Sequence, residues 1–191
     1  MVTMKLALVA IALLSSTVPA FGQAAEFSVS GGLSRLSGAD IGSGFSLDDS
    51  GFRLAGRMTL NNGRFYGHEF GYAYSRTKLL LQTVDQGGMA IHQGLYHFLL
   101  YATPEGSRVR PFASGGGHFS NFVPPGASAT QGQGDNKFGV NYGGGIKFKL
   151  TYKFNLRLDA RQYLTGKPFD LPGASGQLRQ NEITVGFGLI L

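Results

Sequence analysis

Apolar and polar side chains exchange places every second residue over most of the chain. From Phe138 to Tyr163, FGVNYGGGIKFKLTYKFNLRLDARQY, the exchange runs through two consecutive arms. In the first arm Phe138, Val140, Tyr142, Ile146, Phe148 and Leu150 share one parity and Asn141, Lys147 and Lys149 the other. In the second, Leu156, Leu158, Ala160 and Leu164 oppose Arg157, Asp159 and Arg161. Successive side chains of a strand point to opposite faces, so this stretch predicts a β-hairpin with one apolar and one charged face.

The same pattern recurs before and after it. EFSVSGGLSRL from Glu26 sets Phe27, Val29 and Leu33 against serines, and a polar, Gly-rich connection follows from Ser37 to Ser50. GFRLAGRMTL from Gly51 sets Phe52, Leu54, Met58 and Leu60 against Arg53, Ala55, Arg57 and Thr59. Asn61-Asn62-Gly63 tolerates the positive φ of a tight hairpin turn. Beyond it, to Ser75, Phe70, Tyr72 and Tyr74 oppose Glu69. RTKLLLQTVDQGG, from Arg76, either prolongs that strand beyond a membrane edge or packs within a loop. A fourth strand, Met89 to Thr103, has Gln93, His97 and Tyr101 on its polar face and Tyr96, Phe98 and Leu100 opposite; a bulge near Gly94 would reverse this at one end. RVRPFASGGGHFSNF, from Arg108, and NEITVGFGLIL, from Asn181, complete the set. In the last, Val185 and Phe187 oppose Glu182.

The tally is about eight strands of about ten residues, joined alternately by long polar connections and short turns, the arrangement of a transmembrane barrel. Composition points the same way. Of 191 residues 30 are Gly and 23 are Phe or Tyr, with only 15% charged and neither Cys nor Trp. Such a mix suits strands that twist and bend while aromatic side chains anchor them. The expected fold is therefore all-β, an eight-stranded antiparallel up-and-down transmembrane β-barrel over residues 25–191. A soluble lipocalin-like barrel is the alternative, in which the apolar parity would point inward. Against it, the polar parity is dominated by Gly, Ser and Arg, which suit a narrow lumen, and a closed ladder leaves no backbone group unpaired in hydrocarbon.

Residues 1–24 read as a cleaved secretory signal. Lys5 supplies the basic start, LALVAIALL from Leu6 the apolar core, and the small residues up to Ala24 the cleavage region, after Gly22 or Ala24. The net charge of +6 falls to about +5 without Lys5. For an exported chain with no basic run, that surplus does not indicate nucleic acid as a partner.

RVRPFASGGGHF, KFGVNYGGGIKFKL, NLRLDARQYL and EITVGFGLIL resemble the strand signatures of the small outer-membrane β-barrel superfamily, the OmpA-like and OmpW-like barrel domains of diderm bacteria. The resemblance covers about Glu26 to Leu191 and implies residence in the cell outer membrane. It also implies contact with outer-membrane lipid and lipopolysaccharide, and handling by periplasmic chaperones and the barrel assembly machinery. It departs from the family in two ways: no peptidoglycan-binding domain follows, and the last residue is Leu191 rather than an aromatic.

The resulting orientation puts Phe70, Tyr72, Tyr142, Ile146, Phe148, Leu158, Val185 and Phe187 against lipid. Arg53, Arg57, Glu69, Lys147, Arg157, Asp159, Arg161 and Glu182 then form a lumenal charge network. The basic members admit three readings: an internal salt-bridge network that plugs the barrel, a narrow anion-favouring pore, or rim groups that bind lipopolysaccharide phosphates. A charge at Ile146 is expected to destabilise the barrel if that residue lies near the midplane. His118-Phe119-Ser120-Asn121 resembles the H-x-S-N motif of outer-membrane lipid A deacylases, in which the His activates the Ser. It falls in the fifth strand rather than the penultimate one, and on the lumenal parity, so no catalytic residue is assigned. The four histidines lack metal-ligand spacing, and GGGIK sits inside a strand with no helix after it, so neither a metal nor a cofactor is expected. A monomeric protein with a structural or surface-binding role is the expectation, with a small-solute pore and a lipid A hydrolase as alternatives.

Overall fold

A computed structural model describes residues 24–191. The leader expected over residues 1–24 lies outside the described residues except for Ala24. Ten strands follow one another: β1 (Ala24–Ser37), β2 (Asp40–Gly42), β3 (Phe45–Leu47), β4 (Ser50–Asn61), β5 (Tyr66–Leu81), β6 (Val84–Tyr101), β7 (Val109–Val123), β8 (Asp135–Lys149), β9 (Phe154–Gly166) and β10 (Gln177–Ile190). The eight long ones form an antiparallel sheet in which each strand pairs with its sequence neighbours. Pairing of β1 with β10, from Glu26 opposite Ile190 to Ser37 opposite Arg179, closes it into a barrel. The short hairpin β2–β3 lies in the first connection and extends the sheet onto the end of β5, with Phe45 opposite Leu81.

Three connections at one end, 62–65, 102–108 and 150–153, are short, and both described chain ends lie there. At the other end the third connection departs from the expected alternation of long and short links. Leu79 and Leu80 are strand residues, and β5 and β6 run on together to a turn of Gln82 and Thr83, both at positive φ (46° and 73°). The pairing is regular through Tyr72 opposite Gly94, so there is no bulge at Gly94. The irregularity is displaced to the tip, where Leu79 pairs with Gly87, Leu80 with Asp85, and Gln86 is left over. There the ribbon lies beyond the polar edge of the outer band, where the unpaired groups of an extra residue meet water.

The two faces follow parity. Inward positions include Arg53, Arg57, Glu69, Gln93, His97, Arg157 and Tyr163, each at most 1% exposed. Outward ones include Phe27, Val29, Leu33, Tyr72, Val140 and Phe187, each at least half exposed. Moving up the outside from the middle, every long strand meets its first polar side chain at one level: Arg35, Ser50, Arg76, His92, Asn121, Asn136, Gln162 and Asn181. Several pair across strands, Gln162 Nε2 donating to Asn181 Oδ1 at 2.7 Å and Asn121 Nδ2 to Asn136 Oδ1 at 2.8 Å. Tyr142 donates its hydroxyl to Gln162 from below, and Tyr72 is joined to His92. This ring bounds the apolar band on the long-loop side.

On β10 the band runs from Leu189 to Ile183, which puts Val185 near its middle, whereas Ile146 is only one outward position above Phe148 near the short-turn edge. Val185→Arg is therefore expected to cost about 2–4 kcal/mol and Ile146→Arg less, since the penalty falls toward the interfaces. Urea titration of the barrel refolded into lipid vesicles measures both.

Candidate functional site

Inside the barrel the charged side chains fall into layers. Alternation on β9 brings Arg157, Asp159 and Arg161 to the same face. Arg157 Nε donates to Asp159 Oδ2 at 2.6 Å, and Arg161 Nη2 to Asp159 Oδ1 at 2.9 Å. Both arginines also reach Glu69, with Arg157 Nη1 2.5 Å from Oε2 and Arg161 Nη2 2.9 Å from Oε1. Strands β5 and β9 stand four places apart in the closed ring of eight, so these bonds join opposite walls. Arg53 and Arg57 of β4 pair with Glu182 of β10, Arg57 Nη2 at 2.8 Å, and Thr59 donates to Glu69 Oε2 at 3.0 Å.

Above this layer Gln93 Nε2 donates to Gln180 Oε1 at 3.1 Å across the lumen and to Ser120 Oγ at 2.8 Å. Arg53 donates to Gln93 and stands 4.6 Å from the centre of the Tyr163 ring, whose plane meets the edges of His97 and His118. Room for these long side chains comes from glycine. A Cβ on Gly143 would stand 2.7 Å from Arg161 Cα, and one on Gly145 would stand 2.7 Å from the Phe112 ring.

The ends differ. Toward the long loops the lumen is closed by an apolar cluster of Leu36, Ile41, Leu47, Leu79, Met89, Ile91, Phe122 and Leu178. Loop contacts hold this cap: Lys137 Nζ is 2.7 Å from Asp170 Oδ1, Phe169 N donates to Asp135 Oδ2 at 2.5 Å, and Ser43 N donates to the Pro172 carbonyl at 3.0 Å. Toward the short turns a vestibule of about 230 Å³ opens between Glu26, Asn61, Glu105, Arg110, Lys147 and Asn155. At its base Lys147 Nζ is 2.7 Å from Glu26 Oε2, and the Arg110 guanidinium lies 3.4 Å from the Tyr101 ring centre.

The eight side chains assigned to the lumen by parity are all buried within it, but they do not form one network. Seven meet in the central layer, whereas Lys147 sits lower and pairs with Glu26, not with Glu69, Asp159 or Glu182. On the outer face Phe70, Tyr72, Tyr142, Leu158, Val185 and Phe187 are exposed, and Ile146 and Phe148 are half-buried among their neighbours. Glu26, Gln93, Gln180, Arg110 and Tyr163 had no assigned role. Their shared inward parity is the signal that would have found them.

His118 and Ser120 lie on the same lumenal face, 5% and 0% exposed, but each has another partner. His118 Nε2 is 2.8 Å from Thr165 Oγ1, and Ser120 Oγ accepts from Gln93. Neither faces the hydrocarbon side, where a lipid substrate would lie. Among the described residues no cluster of His, Asp or Glu is placed to hold a metal ion. Above the outer polar ring Lys78 Nζ is 2.9 Å from Asp85 Oδ2. That hydrogen bond raises the Lys78 pKa and, with the Gly87 amide, holds the Asp85 carboxyl below its usual value. Being exposed, such a pair contributes little to stability.

A closed eight-strand sheet with a continuous apolar outer band and its charges paired inside defines an integral outer-membrane β-barrel protein. The chain belongs to the outer membrane protein beta-barrel domain family, whose model matches residues 6–190. No curated protein sequence matches it significantly. Among solved structures, Neisserial surface protein A aligns over 89% of this chain and 99% of its own, with 14% identity and a TM-score of 0.64. OprG of Pseudomonas aeruginosa aligns over 88% and 97%, with 15% identity and a TM-score of 0.55. The N-terminal β-barrel domain of OprF from the same organism aligns over 88% and 97%, with 14% identity and a TM-score of 0.53. At these identities the likeness is one of fold. In such barrels short turns face the periplasm, so the vestibule is periplasmic and the apolar cap extracellular.

Removing Glu69 from the central layer leaves four buried guanidinium groups to share two carboxylates, Asp159 and Glu182. Glu69→Ala is therefore expected to lower stability by about 3–5 kcal/mol. Ser120→Ala, which removes one neutral hydrogen bond, is expected to cost about 1 kcal/mol. Denaturant titrations of the two refolded variants against the parent give both values.

Proposed function

We propose that this protein is a non-conducting barrel that acts structurally and through its exterior, stabilising the outer membrane and presenting its extracellular loops to binding partners. The observation that carries this reading is the Arg157–Glu69–Arg161 bridge across the lumen. A solute passing through would have to separate buried ion pairs, at a cost of several kcal/mol for each ion left alone. The apolar extracellular cap adds a second barrier. Its loops are tied to one another by Lys137, Asp135, Asp170 and Ser43, which favours a fixed outer surface over a gated mouth.

On this reading the barrel works as a monomer surrounded by outer-membrane lipid and lipopolysaccharide. Periplasmic chaperones and the barrel assembly machinery deliver it there. The engagement of His118 and Ser120 with Thr165 and Gln93 argues against hydrolysis of lipid A.

In planar bilayers the folded protein is expected to give no stepwise conductance, while heat-modifiable migration on gels shows that the barrel is formed. Conductance steps from the folded form would replace this reading with a small-solute pore. Lipid A extracted from cells producing the protein is expected to keep all its acyl chains. A deacylated product that vanishes in Ser120→Ala would make it an enzyme instead.

A further inference from the structure

The cations of this protein divide into two populations. Those in the lumen face carboxylates or aromatic rings, whereas three on the outside at the extracellular edge of the apolar band do not. Among the described residues Arg35, Arg76 and Arg179 have no carboxylate within ion-pair distance. All three are exposed and all lie on one side of the barrel, on β1, β5 and β10. At the same level β6 to β9 carry only His92, Asn121, Asn136 and Gln162. Of the acids on the basic side, Asp85 holds Lys78 at 2.9 Å, and Asp48 and Asp49 make no ion pair.

Arg35 and Arg179 are the closest of the three. Arg35 is opposite Asn181 and Ser37 opposite Arg179, so the two arginines are outward diagonal neighbours on paired strands. Diagonal neighbours on one face stand about 7–8 Å apart, which lets two guanidinium forks grip one tetrahedral anion between them. Directly below, Leu33 faces Ile183, at 73% and 69% exposure the barest aliphatic pair along this seam. Arg76, two strands away, lies flat on β6, where a Cβ on Gly88 would come within 2.4 Å of its Nε. A forked cation pair standing on an exposed aliphatic step at a membrane boundary matches a ligand with an anionic head and acyl chains.

We propose that Arg35 and Arg179 form a binding site for a phosphate group of an outer-leaflet phosphoglycolipid, with Leu33 and Ile183 against its acyl chains and Arg76 as a flanking contact. The inference rests on the reading above that lipopolysaccharide surrounds the barrel, and it gives that contact a location. It is distinct from the arginines of the central lumenal layer, which pair with Glu69, Asp159 and Glu182.

The test uses the mature chain refolded in detergent micelles and native mass spectrometry with bisphosphorylated lipid A, dephosphorylated lipid A and phosphatidylethanolamine. The parent is expected to retain bisphosphorylated lipid A above the other two lipids. Each of Arg35→Gln and Arg179→Gln is expected to weaken that retention by about tenfold, and the double variant more. Arg108→Gln with Lys153→Gln, which removes two exposed charges at the periplasmic edge, is expected to change nothing. Equal retention by the double variant, or equal retention of dephosphorylated lipid A, overturns the proposal. So does displacement of the lipid by millimolar inorganic phosphate, which would mark a site for the free ion. Should the double variant fail to show the heat-modifiable shift, Arg35→Lys and Arg179→Lys test it instead, with intermediate retention expected. A parent that does not enter bilayers would defeat the membrane reading as a whole. A parent that folds and retains no lipid A defeats this site alone.

Discussion

Glu69 is the side chain around which the interior is arranged. Its two oxygens take hydrogen bonds from Arg157, Arg161 and Thr59, on the two strands farthest apart and next to it in the ring. The reason lies in the surroundings of the sheet. Hydrocarbon outside forbids unpaired backbone groups, which forces closure, and forbids outward charges, which forces the arginines of β4 and β9 inward. A buried guanidinium then needs a carboxylate. Because Glu69 and Glu182 sit on strands other than those of the arginines they hold, neutralising charge and holding the barrel at its diameter become one requirement. Glycine at 143 and 145 belongs to the same solution, since side chains there would occupy the space through which Arg161 and Phe112 reach.

The interior is graded along its axis. Apolar side chains close the extracellular mouth, paired ions fill the middle, and a polar vestibule opens to the periplasm. The first of these depends on strands that outrun the membrane. On β5 and β6 the inward positions above the polar ring carry Leu79, Met89 and Ile91, which meet Ile41 and Leu47 from the first loop. Loop residues thereby acquire a small core of their own, shielded from water by the hairpin β2–β3.

How much of this could be read from the residues differs from feature to feature. Parity separated Glu69 from Phe70 and Tyr72, and Arg157 from Leu158, because one face meets lipid and the other a narrow lumen. Strand number and closure followed from the repetition of that contrast. The stretch from Arg76 to Gly88 resisted because the contrast ends at the membrane edge. Beyond it Lys78 faces water and Leu79 the inside, and neither face carries a uniform signal. The irregularity lies at Gln86 and not at Gly94, where its unpaired backbone groups meet water instead of hydrocarbon. Which acid meets which base was also out of reach. Whether Lys147 finds Glu26 or Asp159 depends on how far each strand is staggered around the ring, a property of the closed sheet that no single strand contains.

That stagger has a temporal side. Arg53 and Arg57 are made early in the chain, whereas Glu182, their carboxylate, lies on the last strand, and the seam between β1 and β10 joins the two ends of the fold. In an open sheet that lacks β10, Arg53 has no carboxylate and Arg57 keeps only Glu69, at 3.8 Å, beside an unpaired edge. Pairing of β10 with β1 therefore also completes the charge pairing of β4. Contacts this distant in sequence are slow to form.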